Sequence, residues 1–143
     1  MATSHVLVPL DGSPLADDAL AYALETFDCR LTVLNVVTPM DSPMSEGGVL
    51  EPDERRQTAA SDRADRIVEQ ARQRADAAGR EIDTAVETGD PAETIVGVAT
   101  DRDADQIVMG SHGGDRNALT RRLLGTVATD VVGEAPMTVT VVR

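Results

Sequence analysis

The sequence predicts an α/β protein with a doubly wound, open five-stranded parallel sheet and helices on both faces, and three observations lead there. Short β-branched apolar runs alternate with longer stretches whose apolar residues recur at helical spacing. Several of the short runs are almost continuous in Val, Leu and Ile, as strands covered on both faces of a sheet require. Helix starts with matching cap residues follow the turns. At 143 residues the chain can bury one core, and neither a repeat nor a linker divides it, so residues 1–143 are expected to form one domain.

His5–Pro9 (HVLVP) reads as the first strand, closed by Asp11-Gly12-Ser13-Pro14. Ser13 is placed to cap a helix that begins at Pro14, since a first helical residue has no use for the amide that Pro lacks. Ala16, Ala19, Leu20, Ala23, Leu24 and Phe27 then share one helical face, and Leu31–Val37 (LTVLNVV) reads as the second strand. Thr38 to about Asp53 is rich in Pro, Gly and Ser and reads as a loop, with Met40 and Met44 as filler or as part of a lid. Ala60, Ala64, Ile67, Val68, Ala71, Ala75 and Ala78 trace the inner face of a second helix, which Gly79 ends. Glu81–Val86 (EIDTAV) is a weaker strand suited to an edge. Asp90 caps a third helix, Pro91 takes its first turn and Glu93 completes a capping box; Ile95, Val96 and Ala99 face inward. Asp105–Met109 (DQIVM) is the fourth strand and the glycine-rich stretch Gly110–Gly114 follows it. A last helix begins near Thr126, and Met137–Val142 (MTVTVV) is the fifth strand.

Charge narrows the function. There are 25 acidic residues against 13 basic ones, all Arg, for a net charge of −12. That field repels nucleic-acid backbones and anionic membrane surfaces, so neither is expected as a partner. The acids are spread along the chain, which suits a solvated surface at high salt, where screening removes self-repulsion; a halophilic setting is the expectation. Cys29 is the only cysteine, which excludes an intrachain disulfide and reads as a small buried apolar group. His5 and His112 lack the paired spacing of a zinc site; His112 reads as a structural group of its turn and His5 as structural or exposed. Asp17 and Asp18 suit the first turn of a helix through its dipole, and Ser13 is accounted for as a cap. The absence of Lys excludes a P-loop NTPase. No apolar run approaches the length of a bilayer crossing and no basic-then-apolar leader pattern appears, so a cytoplasmic location is expected.

In open α/β sheets a ligand sits beyond the carboxyl ends of the strands, where the strand order reverses. The first strand runs out through Pro9-Leu10-Asp11-Gly12-Ser13, and the fourth through Met109-Gly110-Ser111-His112-Gly113-Gly114. If those strands are neighbours, Asp11 faces a glycine-rich loop across the crevice. Glycines let backbone amides approach phosphate oxygens, and Gly125-Thr126 opens a helix whose free amides and positive dipole end favour an anion. The Thr126 hydroxyl adds a donor. An isolated glycine pair is explained by a tight turn; a glycine loop and a glycine-opened helix at one strand end favour a phosphate-bearing ligand.

These same segments carry a family resemblance. Met-Gly-Ser-His-Gly at 109–113 with Leu-Leu-Gly-Thr-Val at 123–127 resembles the nucleotide signature of the universal stress proteins. Val8–Ser13, Leu34-Asn35-Val36, Asp103–Met109 and Ala135–Val142 resemble that family's first, second, fourth and last strand segments. The resemblance implies a Rossmann-like sheet of the adenine nucleotide alpha hydrolase type, with strand order 3-2-1-4-5. It also implies a homodimer formed through the C-terminal strand Met137–Val142. It implies ATP or a related adenine nucleotide, with Mg²⁺ or Mn²⁺ beside its phosphates. Asp11 then meets the ribose or adenine, and the Val36 backbone lines the base pocket. Gly110 and Gly113 contact ribose and phosphates, and Gly125, Thr126 and Val127 hold the phosphate tail. Pro9 and Met109 close the two strand ends on the same crevice.

One departure stands out. Gly114–Leu124 supplies eleven residues where the family pattern has nine, and it brings Asp115 together with Arg116, Arg121 and Arg122. No general base is evident, so the expected role is a nucleotide-binding stress or signalling module with weak ATP hydrolysis at most. The alternative is a dimeric protein-interaction module of the same family that binds no nucleotide. A response-regulator receiver would need a second acid after the first strand and a Lys after the fifth. A nucleotidyl-transfer enzyme would carry a HIGH-like or SGGxDS motif, and neither appears.

Overall fold

The structure, a computed structural model, describes residues 3–39, 50–111 and 124–143, leaving the side chains of 50–57 aside. The element order is β1 (His5–Pro9), α1 (Pro14–Thr26), β2 (Arg30–Val37), α2 (Leu50–Ala77), β3 (Asp83–Thr88), α3 (Pro91–Asp101), β4 (Gln106–Gly110), α4 (Thr126–Glu134) and β5 (Thr138–Val142). The five strands form one parallel sheet in the order β3-β2-β1-β4-β5, as the resemblance implied.

Alternation along the strands sorts the side chains between two layers. Val6, Val8, Leu31, Val33 and Val108 pack under α1 and α2, with Ala16, Ala19, Leu20, Ala23, Ile67 and Ala71. Leu7, Leu34, Ile107 and Met109 pack on the other side against Ala92, Ile95 and Ala99 of α3 and Ala128 and Val131 of α4. The chain winds from β1 outward through α1 and α2. It then crosses to the other side of β1 through α3 and α4, so the order reverses between β1 and β4. Small residues on the helices let them approach a sheet whose largest wholly buried side chains are Leu and Ile.

Strands β2 (Arg30–Val37) and β5 (Thr138–Val142) differ from the sequence reading by one residue at one end and β4 (Gln106–Gly110) by one at each end, and larger differences lie at α2 and β3. The second helix starts at Leu50, inside the stretch read as loop. Pro52, taken as a loop signal, falls in the first helical turn, where the missing amide costs no hydrogen bond. The third strand is Asp83–Thr88 rather than Glu81–Val86, because its pairing with Thr32–Val37 of β2 sets the register. Ile82, just before it, packs instead against the α1–α2 layer. Ala78 is exposed, since α2 ends at Ala77 and the Arg80 amide closes that end on the Ala75 carbonyl at 2.8 Å. Cys29 is half-buried at the edge of that layer.

The amino ends of the central strands are closed by the protein's own groups. Asp105 Oδ2 accepts hydrogen bonds from the Ser4 amide (2.8 Å), the Ser4 hydroxyl (2.7 Å) and the His5 amide (2.9 Å). The Ser4 hydroxyl foremost, then the two amides, hold that carboxyl below the ordinary aspartate value. His5 is buried, with Nδ1 donating to the Arg102 carbonyl at 3.0 Å and Nε2 paired with the Thr32 hydroxyl at 2.7 Å. Of the two readings of His5, structural or exposed, the structure has the structural one. The carboxyl ends of the same strands open on a cleft.

Candidate functional site

The cleft lies at the reversal point, with a volume of about 620 Å³, within the range that holds a small-molecule ligand. Its walls come from the ends of β1, β2 and β4, from α2, and from the first turns of α1, α3 and α4. Pro9, Asp11, Val36, Met109, Gly110, Gly125, Thr126 and Val127 line it. Gly113 and His112 lie outside the described residues, as do Met40, Met44 and most of the lengthened loop.

The β1 side is held rigidly. The Leu10 amide donates to the Leu34 carbonyl at 2.8 Å, which carries the β1–β2 ladder one residue past the strand. Asn35 is buried and its Nδ2 donates to the Leu10 carbonyl at 2.8 Å. Asp11 follows, its Oδ1 accepting from the Ser13 amide at 2.9 Å in a tight Asx-type turn. Gly12 has φ +85°, a left-handed backbone that a residue with a Cβ adopts at a cost, and a Cβ there would stand 3.3 Å from Ile67 Cδ1. Ser13 then caps α1, accepting from the Ala16 amide at 3.3 Å. Asp17 in that first turn also pairs with Arg74 of α2 at 3.2 Å.

The β4 side brings in the last helix. The Ser111 amide donates to the Val142 carbonyl (2.8 Å) and the Ser111 carbonyl accepts from the Gly125 amide (2.6 Å). That last bond pins the start of α4 beside the end of β4. Gly125 is the N-cap residue, and among the described residues no side chain caps this helix. By contrast, Ser13 caps α1, and Asp90 caps α3 by accepting from the Glu93 amide at 3.1 Å. Of the three helices whose first turns face the cleft, α4 thus presents its first amides without a side-chain acceptor among the described residues.

Sequence reasoning missed part of the wall. Arg63 and Ile67 of α2, and Pro91 and Ile95 of α3, also line the cleft. Asn35 was legible in principle: a lone amide within an apolar strand needs a buried partner. Arg63 carried no such signal, being one of several arginines on a charged helix. Among the described residues no three His, Cys, Asp or Glu side chains gather to hold a metal ion, and no helix is long and apolar enough to cross a membrane.

Comparison with known proteins agrees with this architecture. The sequence model of the universal stress protein family matches residues 3–143. A putative universal stress protein of Staphylococcus saprophyticus is 31% identical over 142 residues, covering 96% of this chain and 82% of that protein. A stretch of 55 residues is 46% identical to a universal stress protein of Methanothermobacter thermautotrophicus, covering 38% of this chain and 36% of that one. Among solved structures, universal stress protein UspA from Lactobacillus plantarum superposes with a TM-score of 0.80 at 26% identity, covering 100% of this chain and 99% of that one. A universal stress protein in complex with cAMP has a TM-score of 0.71 at 27% identity, with the same coverage of 100% and 99%. The chain belongs to the universal stress protein family.

Proposed function

We propose that the cleft binds an adenine nucleotide, with ATP as the leading ligand, and that the chain works as a nucleotide-responsive stress or signalling module. The observation that carries this reading is the uncapped start of α4 at the rim of an otherwise mostly apolar cleft. Free amides and a positive dipole end favour a phosphate, while apolar walls favour a base and the carbon face of a ribose. A relative of the same fold in complex with cAMP supports the ligand class. In this reading Asp11 meets the ribose or adenine and the Val36 backbone lines the base. Gly110 and Gly113 approach ribose and phosphates, and Gly125, Thr126 and Val127 hold the phosphate tail. A divalent Mg²⁺ or Mn²⁺ would ride on the phosphate oxygens, with Asp11 as the one carboxylate lining the described cleft.

Isothermal calorimetry with ATP, ADP and AMP, with Mg²⁺ and at high salt, tests the reading. Micromolar binding that is lost in Gly113→Val supports it. No heat with any of the three would overturn it in favour of a nucleotide-free interaction module, and rapid turnover of ATP would make the chain an enzyme.

We further propose a cytoplasmic homodimer paired through β5, working in a saline medium. β5 stands at one edge of the sheet and is paired within the chain on its β4 side. Such an edge is a pairing surface unless something covers it.

A further inference from the structure

We infer that Arg63 is a specificity-determining residue of the cleft, reading the phosphate of a nucleotide and thereby separating nucleotide from nucleoside; this rests on the nucleotide reading of the cleft. Among the described residues, Arg63 and Asp11 are the charged side chains that line it. The two form no ion pair with each other. Arg63 Nη2 donates to the backbone carbonyl of Asp11 at 2.9 Å, while the Asp11 carboxylate turns to the Ser13 amide. Elsewhere on α2, Arg72 and Arg74 are held in ion pairs with Glu69 and Asp17. Arg63 forms no ion pair among the described residues, and its other N–H groups have no hydrogen-bond acceptor there.

The bond to Asp11 places the guanidinium rather than consuming it. One N–H of the five is used on a neutral carbonyl, which leaves the charge and the rest of the fork available to an anion. Gly12 beside this bond has φ +85°, the conformation that favours glycine, and a Cβ there would only touch Arg63 Nη2 at 3.6 Å and press lightly on Ile67 Cδ1 at 3.3 Å. The β1–α1 turn lies close against α2 at this point. In a chain of net charge −12, a cation in the cleft wall that makes no ion pair among the described residues lowers the barrier to an anionic ligand. Together with the first turn of α4 it supplies a second positive feature in the cleft wall. A nucleoside offers neither of them a charged partner.

The test compares adenosine, AMP and ATP by calorimetry on the wild type, Arg63→Ala and Arg63→Lys, each checked for folding by circular dichroism. The expected result is that Arg63→Ala weakens AMP and ATP by about tenfold or more, as loss of a charge-assisted contact does. Adenosine should change by less than about twofold. The AMP affinity of the wild type should fall more steeply with salt than that of Arg63→Ala. Arg63→Lys should keep most of the preference for AMP over adenosine, and it carries the test if the Ala variant does not fold. Equal losses for all three ligands would make Arg63 a brace between α2 and the turn and would overturn the inference, as would no loss at all. A wild type that binds adenosine as tightly as AMP would overturn it too, while leaving the cleft's adenine reading intact. A wild type that binds none of them removes the nucleotide reading itself.

Discussion

At Gly110 a Cβ would stand 2.9 Å from the Leu15 carbonyl carbon and 3.0 Å from its Cβ. Glycine here is required by the close approach of the first turn of α1 to the end of β4, whatever ligand comes near. A side chain could be admitted only by moving backbone, because the neighbouring atoms are not the flexible tip of a side chain. Gly110→Ala is therefore expected to cost about 1–3 kcal/mol in urea unfolding, as overpacking does. Gly97, inside α3 with no atom within 4 Å of a built Cβ, is the contrast. Gly97→Ala should gain about 0.5–1 kcal/mol through helix propensity. Matching stabilities for the two variants would mean that the contact at Gly110 is not what selects glycine there.

Among the elements, α4 differs from α1 and α3 in how its first amides are satisfied. Ser13 and Asp90 supply acceptors to α1 and α3, while Gly125 supplies none to α4. The Gly125 backbone, at φ −66° and ψ 166°, is one that any residue adopts, so conformation does not demand a glycine there. Gly125→Asp would place a capping carboxylate where the phosphate is proposed to sit. The helix should hold or gain a few tenths of a kcal/mol in stability. Nucleotide affinity should fall by tenfold or more, roughly the value of one lost charge-assisted contact. Unchanged ATP affinity in a folded Gly125→Asp protein would remove α4 from the proposed phosphate site.

For the whole molecule, a net charge of −12 over 143 residues makes the compact state repel itself, and salt relieves the repulsion. The screening length falls from about 10 Å at 0.1 M to about 3 Å at 1 M. Raising KCl over that range should lift the thermal midpoint by about 3 °C or more, which corresponds to about 1 kcal/mol for a chain of this size. Light scattering on the same samples should give a dimeric mass. A flat midpoint would detach the acidic surface from a saline setting, and a monomeric mass would sink the β5 dimer.

What the sequence by itself determined was local. Short, near-continuous apolar runs and apolar residues at helical spacing separated strands from helices, and Ser13, Pro14, Asp90 and Pro91 marked two helix starts where the structure has them. Those signals depend on a few neighbouring residues, so they survive without knowledge of the rest of the chain. The weak edge strand β3 and the start of α2 slipped because there the local signal was poor: β3 takes its register from β2, and Pro52 reads alike in a loop and in a first helical turn. Which strands lie side by side is not a local property. Only the family resemblance proposed β4 beside β1, and only the tertiary structure brought Asp11, Gly110 and Gly125 onto one cleft. It alone decided that Leu15 forbids a side chain at Gly110. Residues far apart in sequence, Arg63 on α2 and Asn35 on β2 among them, act on the same turn because the sheet's reversal between β1 and β4 leaves a space there. Nothing in the spacing of residues along a chain records that space.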